Sequence, residues 1–209
     1  TLQISTSGTA DLSKAAVDVV DITAAGAHTY TVANGQNVKI SGTAPSADVT
    51  FDINDQATAN TNGSITIDLA ATMLTTKGIA ITATATNSDN ISTLNITNNT
   101  VVQGAFDVLA TADTDVVISG SKDVTLEATS TAKTLVATDL TAALAMTANA
   151  ATITNVTGGS GADVITATSG ATLTLDGGVG TGDKLIAGAG ASDITPMTIS
   201  NFEILGING

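Results

Sequence analysis

The amino-acid sequence predicts an all-β protein whose C-terminal half is a parallel β-solenoid (β-helix). Short alternating runs rich in Val, Ile and Thr recur along the chain, and segments rich in Asn, Gly and Asp separate them. From Val116 onward the apolar centres recur about every 8 to 12 residues, which is typical of a sandwich or of a solenoid with two strands per coil. The 209 residues include no Trp, one Tyr and three Phe, so aliphatic side chains and Thr methyl groups must fill the core. Small residues of this kind suit the inward positions of repeated coils.

The strands follow from the β-branched runs, because alternate side chains of a strand face opposite sides of its sheet. The predicted strands, in chain order, are 28–32, 37–41, 48–53, 64–69, 78–86, 92–97, 115–119, 123–128, 134–140, 143–148 and 151–156. Two further segments have helix signals. Residues 11–22 begin with the capping residues Asp11 and Ser13, and residues 68–78 end at a glycine. We expect two short helices there, at the edge of the β structure.

The chain divides at residue 114 on this interpretation. Residues 115–209 form the predicted β-solenoid. Residues 1–114 are a Thr/Ala-rich β domain that either continues the solenoid or forms a β-sandwich, since the stretch 35–56 suits both. The chain opens with "TLQIST", without an initiating Met or a leader-like segment, and this indicates a piece of a longer protein.

Charge and composition disfavour several classes of partner. Six Lys, no Arg, two Glu and seventeen Asp give a net charge of -13, so no basic patch can neutralise nucleic-acid phosphates or bind an anionic membrane. No apolar run reaches the roughly 18 residues of a membrane span. Without Cys there is no disulfide and no thiolate site, and bound ions or a long hydrogen-bond ladder are the expected sources of stability.

One short stretch has the composition of an ion-binding turn. "GGSGADVIT" (158–166) combines three glycines, which allow close backbone approach, with a spaced carboxylate, Asp163. A phosphate would prefer the amides at a helix start, together with a basic residue, but a strand follows here and no basic residue is close. Calcium prefers carbonyl and carboxylate oxygens, so calcium fits better than phosphate. Two plain glycine turns with a solvated Asp remain the alternative.

A second glycine turn begins 19 residues after Gly158, at Gly177 (177 - 158 = 19), and ends at Asp183. This interval is the length of one coil made of two short strands and two turns. Stacked coils would bring the two turns to within about 4.8 Å of each other, the spacing of neighbouring strands. Calcium takes six to eight oxygen ligands, so both turns together, with Asp163 and Asp183, could face one ion.

These residues resemble the calcium-binding nonapeptide G-G-x-G-x-D-x-U-x of RTX proteins, which residues 158–166 match at every specified position. The second copy has one extra residue, Gly182, before Asp183, and a degenerate third copy is "GAGASDI" (188–194). The resemblance implies calcium held between stacked turns by main-chain carbonyls and Asp carboxylates. The implied ligands are Gly158, Ser160 and Asp163 in the first turn and Gly178, Gly180 and Asp183 in the second, with Asp176 as an alternative.

More broadly, residues 119–166 and 199–209 are similar to Thr/Ala-rich segments of bacterial surface-layer (S-layer) proteins and of large RTX adhesins. That resemblance implies a secreted, extracellular structural protein at the cell surface, exported by type I secretion. It also implies self-association into a lattice through neighbouring subunits, with calcium needed for folding and assembly.

The sequence does not predict an enzyme. His28 is the only histidine, and it alternates with Tyr30 and Val32 in a strand-like run, so a structural or exposed position is expected. There is no Arg, no Cys and no nucleophile elbow, and the acidic pairs have no aromatic platform for a sugar. Three interpretations remain: an S-layer lattice segment, an extender or ligand-binding domain of a secreted RTX adhesin, and a non-catalytic solenoid attached to a secreted enzyme.

Overall fold

A computed structural model gives the fold. It describes residues 1–42, 45–53, 63–73, 77–81, 91–101, 103–149, 151, 153–168, 172–188 and 194–207. These residues form twenty short strands and no helix, and among them there is accordingly no apolar helix long enough to cross a membrane.

The strands, in chain order, are β1 (Leu2–Ile4), β2 (Gly8–Asp11), β3 (Val19–Ile22), β4 (His28–Val32), β5 (Gln36–Ile40), β6 (Val49–Ile53), β7 (Gly63–Leu69), β8 (Gly78–Ile81), β9 (Ile91–Asn98), β10 (Ala105–Leu109), β11 (Asp115–Gly120), β12 (Val124–Leu126), β13 (Thr134–Leu140), β14 (Leu144–Ala148), β15 (Asn155–Thr157), β16 (Val164–Ala167), β17 (Thr174–Asp176), β18 (Lys184–Ala187), β19 (Thr198–Ser200) and β20 (Ile204–Ile207). Odd-numbered strands form one ten-stranded sheet and even-numbered strands form the other. Each coil therefore adds one strand to each sheet. The pairings between strands are all parallel, for example β9 with β11 and β16 with β18. This arrangement is a parallel β-solenoid and confirms the predicted fold class.

The N-terminal half continues the same solenoid. Strands β1 to β10 add to the two sheets in the same order as the later strands, so of the two alternatives for residues 1–114 the solenoid is correct and the sandwich is wrong. The pairing also runs across residue 114, because β9 and β11 match at six successive positions. The division into two domains at that residue stays a prediction.

The core is a set of aliphatic columns between the two sheets. Along one column the paired residues are Val20, Val38, Ile67, Ile96 and Ile118, all of them buried. Each coil repeats the same inward position, so similar side chains stack directly on one another. Burial of such columns is the main favourable contribution to folding.

Two of the four aromatic residues pack together in one part of this core. Tyr30 and Phe51 are paired on β4 and β6, with ring centroids 6.2 Å apart. His28 is also buried: its Nδ1 lies 2.7 Å from the Tyr30 hydroxyl oxygen and its Nε2 lies 3.0 Å from the Ala24 carbonyl oxygen. Both imidazole nitrogens are thus engaged within the core.

The described parts of residues 11–22 and 68–78 are not helical, so both helix predictions were wrong. Asp11 Oδ1 accepts the Ser13 N–H (3.0 Å), the hydrogen bond that an N-cap residue would make, and also the Ser13 hydroxyl (2.6 Å). The chain then enters β3, because its residues pair with β1 and β5 on both sides. Residues 68–69 end β7, and Gly78 begins β8. Sheet pairing has overridden the local helix signals.

Candidate metal centre

The two glycine turns lie at the same corner of the solenoid, one coil apart. The first joins β15 to β16 and the second joins β17 to β18. Thr157 pairs with Asp176 immediately before the turns, and Val164 pairs with Lys184 immediately after them. The turns are therefore stacked, as the repeat spacing predicted.

Gly182 is accommodated without loss of register. Strand pairing is in step both before and after the two turns, so the extra residue of the second copy lies entirely inside its turn. Gly182 has a φ of 88°, a left-handed conformation that glycine adopts at little cost. Asp183 therefore stacks on Asp163, and the Asp163 N–H donates to Asp183 Oδ1 at 2.7 Å.

All the glycines in these turns except Gly182 are required by close backbone stacking. A Cβ on Gly158 would lie 2.2 Å from the Gly177 carbonyl oxygen and 2.3 Å from Asp163 Oδ2. Two further predicted ligands, Gly178 and Gly180, would likewise bring a Cβ to within 2.2 Å and 2.4 Å of carbonyl oxygens in the first turn. The carbonyl groups of successive turns are thus packed against the next coil.

Asp163 is fully buried, and both of its carboxylate oxygens accept hydrogen bonds. Oδ1 accepts the Leu144 N–H at 2.7 Å, from the preceding coil, and Oδ2 accepts the Gly159 N–H at 2.6 Å, from its own turn. Burial raises the pKa of the Asp163 carboxyl, the two amide bonds lower it, and the neighbouring Asp183 raises it again. Backbone amides take the place of solvent around this carboxylate.

Asp183 is equally buried, but only one of its two carboxylate oxygens accepts a hydrogen bond from a described residue. Its Oδ1 accepts the Asp163 N–H, whereas Oδ2 has no hydrogen-bond partner among the described residues. The amide that corresponds to Gly159 in this turn is that of Gly178, and it donates instead to Asp176 Oδ1 at 2.9 Å. A buried carboxylate oxygen without a partner is costly, and a cation would satisfy it.

The other predicted ligands lie around this centre. Ser160 is exposed, and its N–H donates to the Leu140 carbonyl oxygen at 2.9 Å. Asp176 is partly exposed, and its Oδ1 also accepts the Asn201 side-chain amide at 2.7 Å. A pocket of about 180 Å³ adjoins these groups. Its lining residues are Thr138, Thr157, Gly158, Gly159, Asp176, Gly178, Val179 and Asn201.

Asp163 and Asp183 do not belong to a larger cluster of acidic ligands. Among the described residues, no three His, Cys, Asp or Glu side chains converge as a metal site. A calcium ion here would depend on main-chain carbonyls together with Asp183 Oδ2. The partnerless oxygen fits such an ion at the second turn, whereas the Asp163 oxygens are already occupied by amides.

Sequence reasoning missed two residues of this corner, Asn201 and Glu203. Glu203 immediately precedes β20, as Asp183 precedes β18, and its Oε2 accepts the N–H groups of Gly182 and Asp183, both at 2.9 Å. Asn201 stands where the earlier turns have glycine, and its φ is 55°. The signal that could have found Glu203 is the equal sequence spacing of Asp163, Asp183 and Glu203. The expected third copy at 188–194 lies mostly outside the described residues.

The fold and the candidate site thus define this protein as a parallel β-solenoid with two stacked Gly/Asp turns. A scan against protein-family models finds no match, and searches of curated proteins and of solved structures return no significant match. The function must therefore be inferred from the residues of this chain.

Proposed function

We propose that this chain is a non-enzymatic structural segment of a bacterial surface layer, secreted to the cell surface, which requires calcium to fold and to pack into a lattice. The observation that carries the proposal is the buried Asp183 Oδ2, which has no hydrogen-bond partner among the described residues and lies in a glycine turn stacked on a second such turn. A calcium ion at this corner would join two coils and stiffen the solenoid.

The regular coil stack supports a mechanical role. Parallel strands and aliphatic columns run through both halves of the chain, so each coil contacts its neighbours, an arrangement that would suit a load-bearing segment. His28, the one imidazole, has both nitrogens engaged in the core. These features suit a building block rather than a reaction centre.

The acidic surface supports a role for divalent ions in assembly. A net charge of -13 makes neighbouring molecules repel one another. Divalent cations at the surface would reduce that repulsion and favour contact between subunits. Lattice formation is then expected to need more calcium than folding does.

Electron microscopy of the purified chain, with calcium and with chelator, tests the assembly. Ordered two-dimensional sheets with calcium, and none with chelator, are expected of a lattice protein. Isolated rods under both conditions would refute the lattice. They would favour the alternative of an extender or ligand-binding domain of a large secreted RTX adhesin, for which a linear stack of coils is well suited.

Thermal unfolding tests the calcium requirement separately. At about 100 times its dissociation constant a ligand stabilises the folded state by roughly 2.7 kcal/mol. At about 2–4 °C per kcal/mol for a chain of this size, the melting temperature should rise by roughly 5–11 °C. A melting curve indifferent to both calcium and chelator would rule out the calcium site.

A further inference from the structure

The two glycine turns look like two halves of one site in the sequence, but their hydrogen bonds differ. In the first turn the Gly159 N–H donates to the carboxylate four residues ahead, Asp163 Oδ2. The Leu144 N–H occupies the other oxygen. Both oxygens of the Asp163 carboxylate are therefore hydrogen-bonded by amides from two coils, although burial still raises the pKa of this carboxyl above its ordinary value.

In the second turn the corresponding bond is missing for an identifiable reason. Asp176 lies immediately before this turn, where the first turn has Thr157, and its carboxylate accepts the Gly178 N–H. The Gly178 amide, which corresponds to that of Gly159, is thus engaged by Asp176, and Asp183 Oδ2 is left buried without a partner among the described residues.

Acidic side chains also surround the second turn more densely than the first. Asp176 precedes it, Asp183 ends it, and Glu203 binds its last two N–H groups from the following coil. Lys184 follows Asp183, but its side chain lies on the outer face of the sheet, against Gly206 of the next coil. Its Cε is 3.1 Å from the position that a Cβ on Gly206 would take. The second turn therefore combines excess negative charge with an unsatisfied carboxylate oxygen.

We propose that the second turn alone takes the divalent cation, through Asp183 Oδ2, and that Asp163 is a structural carboxylate that fastens the first turn to the preceding coil. This inference rests on the calcium requirement proposed above. It replaces an ion shared between Asp163 and Asp183 with one ion that belongs to Asp183. Asp176 is then a positioning residue, because it keeps the Gly178 amide away from the ligand oxygen.

Calcium titration by calorimetry, with melting curves in chelator, distinguishes the two carboxylates. Asp183→Asn removes the proposed ligand oxygen and should weaken calcium binding by at least about tenfold. Loss of a residue that only supports a metal ligand already weakens binding by about that factor, and loss of the ligand itself should cost no less. Asp163→Asn should lower the melting temperature in chelator yet change calcium affinity by less than about tenfold. Asp113→Asn, the same charge change on an exposed turn, is the control and should leave both quantities unchanged.

Equal loss of calcium binding in Asp163→Asn and Asp183→Asn would overturn the inference and restore a shared ion. If Asp163→Asn does not fold, crystals of the wild-type chain can be soaked in Mn²⁺. The anomalous scattering of Mn²⁺ then shows which of the two aspartates contacts the bound ion. A peak in coordination contact with Asp183 and not with Asp163 is expected, and a peak contacting both would refute the inference. A wild-type chain that binds no calcium defeats the calcium proposal itself, which is a different result from a shared ion.

Discussion

Substitution of Gly158 by Ala tests whether the glycines serve coil stacking. The new Cβ would lie 2.2 Å from the Gly177 carbonyl oxygen, whereas ordinary contacts begin at 3.4 Å. The two coils would therefore have to separate by about 1 Å to restore van der Waals contact. The Gly158 N–H donates to the Asp176 carbonyl oxygen of the next coil at 2.8 Å. The same separation would stretch this hydrogen bond beyond the roughly 3.2 Å limit of a good N–H···O bond, so it would be lost.

The cost can be estimated from these two effects. Overpacking costs about 1–3 kcal/mol and a lost hydrogen bond about 1 kcal/mol, so we expect a loss of roughly 3 kcal/mol in the free energy of unfolding. At about 2–4 °C per kcal/mol the melting temperature should fall by roughly 6–12 °C. Circular dichroism in the presence of chelator measures this change without a contribution from bound ions.

Gly182→Ala is the matched control in the same corner. Its φ of 88° is left-handed, but a Cβ there would meet only Ala162 Cβ, at 3.5 Å. The expected cost is the backbone strain of about 1 kcal/mol, or roughly 2–4 °C. If Gly182→Ala destabilises the chain as much as Gly158→Ala or more, backbone conformation and not coil stacking explains the glycines, and the reasoning is wrong.

Two further predictions concern the core. Leu175→Ala, at a fully buried position of β17, should lower the free energy of unfolding by about 2–4 kcal/mol, measured by circular-dichroism melting. Thr174→Ala, at the exposed neighbouring position, should change it little. Equal effects would contradict the conclusion that Leu175 faces the core. Burial raises the pKa of Tyr30 above its ordinary value of 10.0, so the folded state keeps the phenolic proton after the unfolded chain has lost it. The stability from Tyr30 is therefore complete below pH 10.0 and declines as the pH rises from there through the raised pKa. The free energy of unfolding, measured against pH, should show this decline in the wild type. Tyr30→Phe is destabilised by loss of the His28 contact but should lack the decline. An equal decline in both proteins would show that Tyr30 is not its source.

The strands were largely predictable because β-branched alternation and turn residues are local signals. The predicted segments around Phe51, Ile67 and Val136 coincide with β6, β7 and β13. Strands β1 to β3 and β10 are among those missed. β1 has only three residues, and the other three include Ala, Asp or Gly; all four pair with neighbouring coils, which gives them their strand conformation. The helix signals at Asp11 and Ser13 failed for the same reason.

The sequence could not decide between a solenoid and a sandwich for the N-terminal half. Both folds use short strands at the same spacing, and only the pairing partner differs. In the solenoid, Val20 pairs with Val38 and Val38 pairs with Ile67, in parallel and one coil apart. The second of these sequence intervals is much longer than the first, because the segments that connect the strands differ in length. Unequal coils hide the period that would have identified the solenoid.

The candidate site illustrates a different limit. A G-G-x-G-x-D motif specifies that glycines allow close stacking and that a carboxylate enters the turn, but it does not specify how many amides reach that carboxylate. Asp163 obtains two, from Leu144 and Gly159, whereas Asp183 obtains one, and the Gly178 N–H donates to Asp176 instead. An amide N–H, by hydrogen bonding, and a cation, by its charge, each favour a buried carboxylate oxygen, so either can serve at such a position. If Asp183 binds a cation as proposed, the need for that ion would depend on Asp176, the residue that precedes the turn and lies outside the motif.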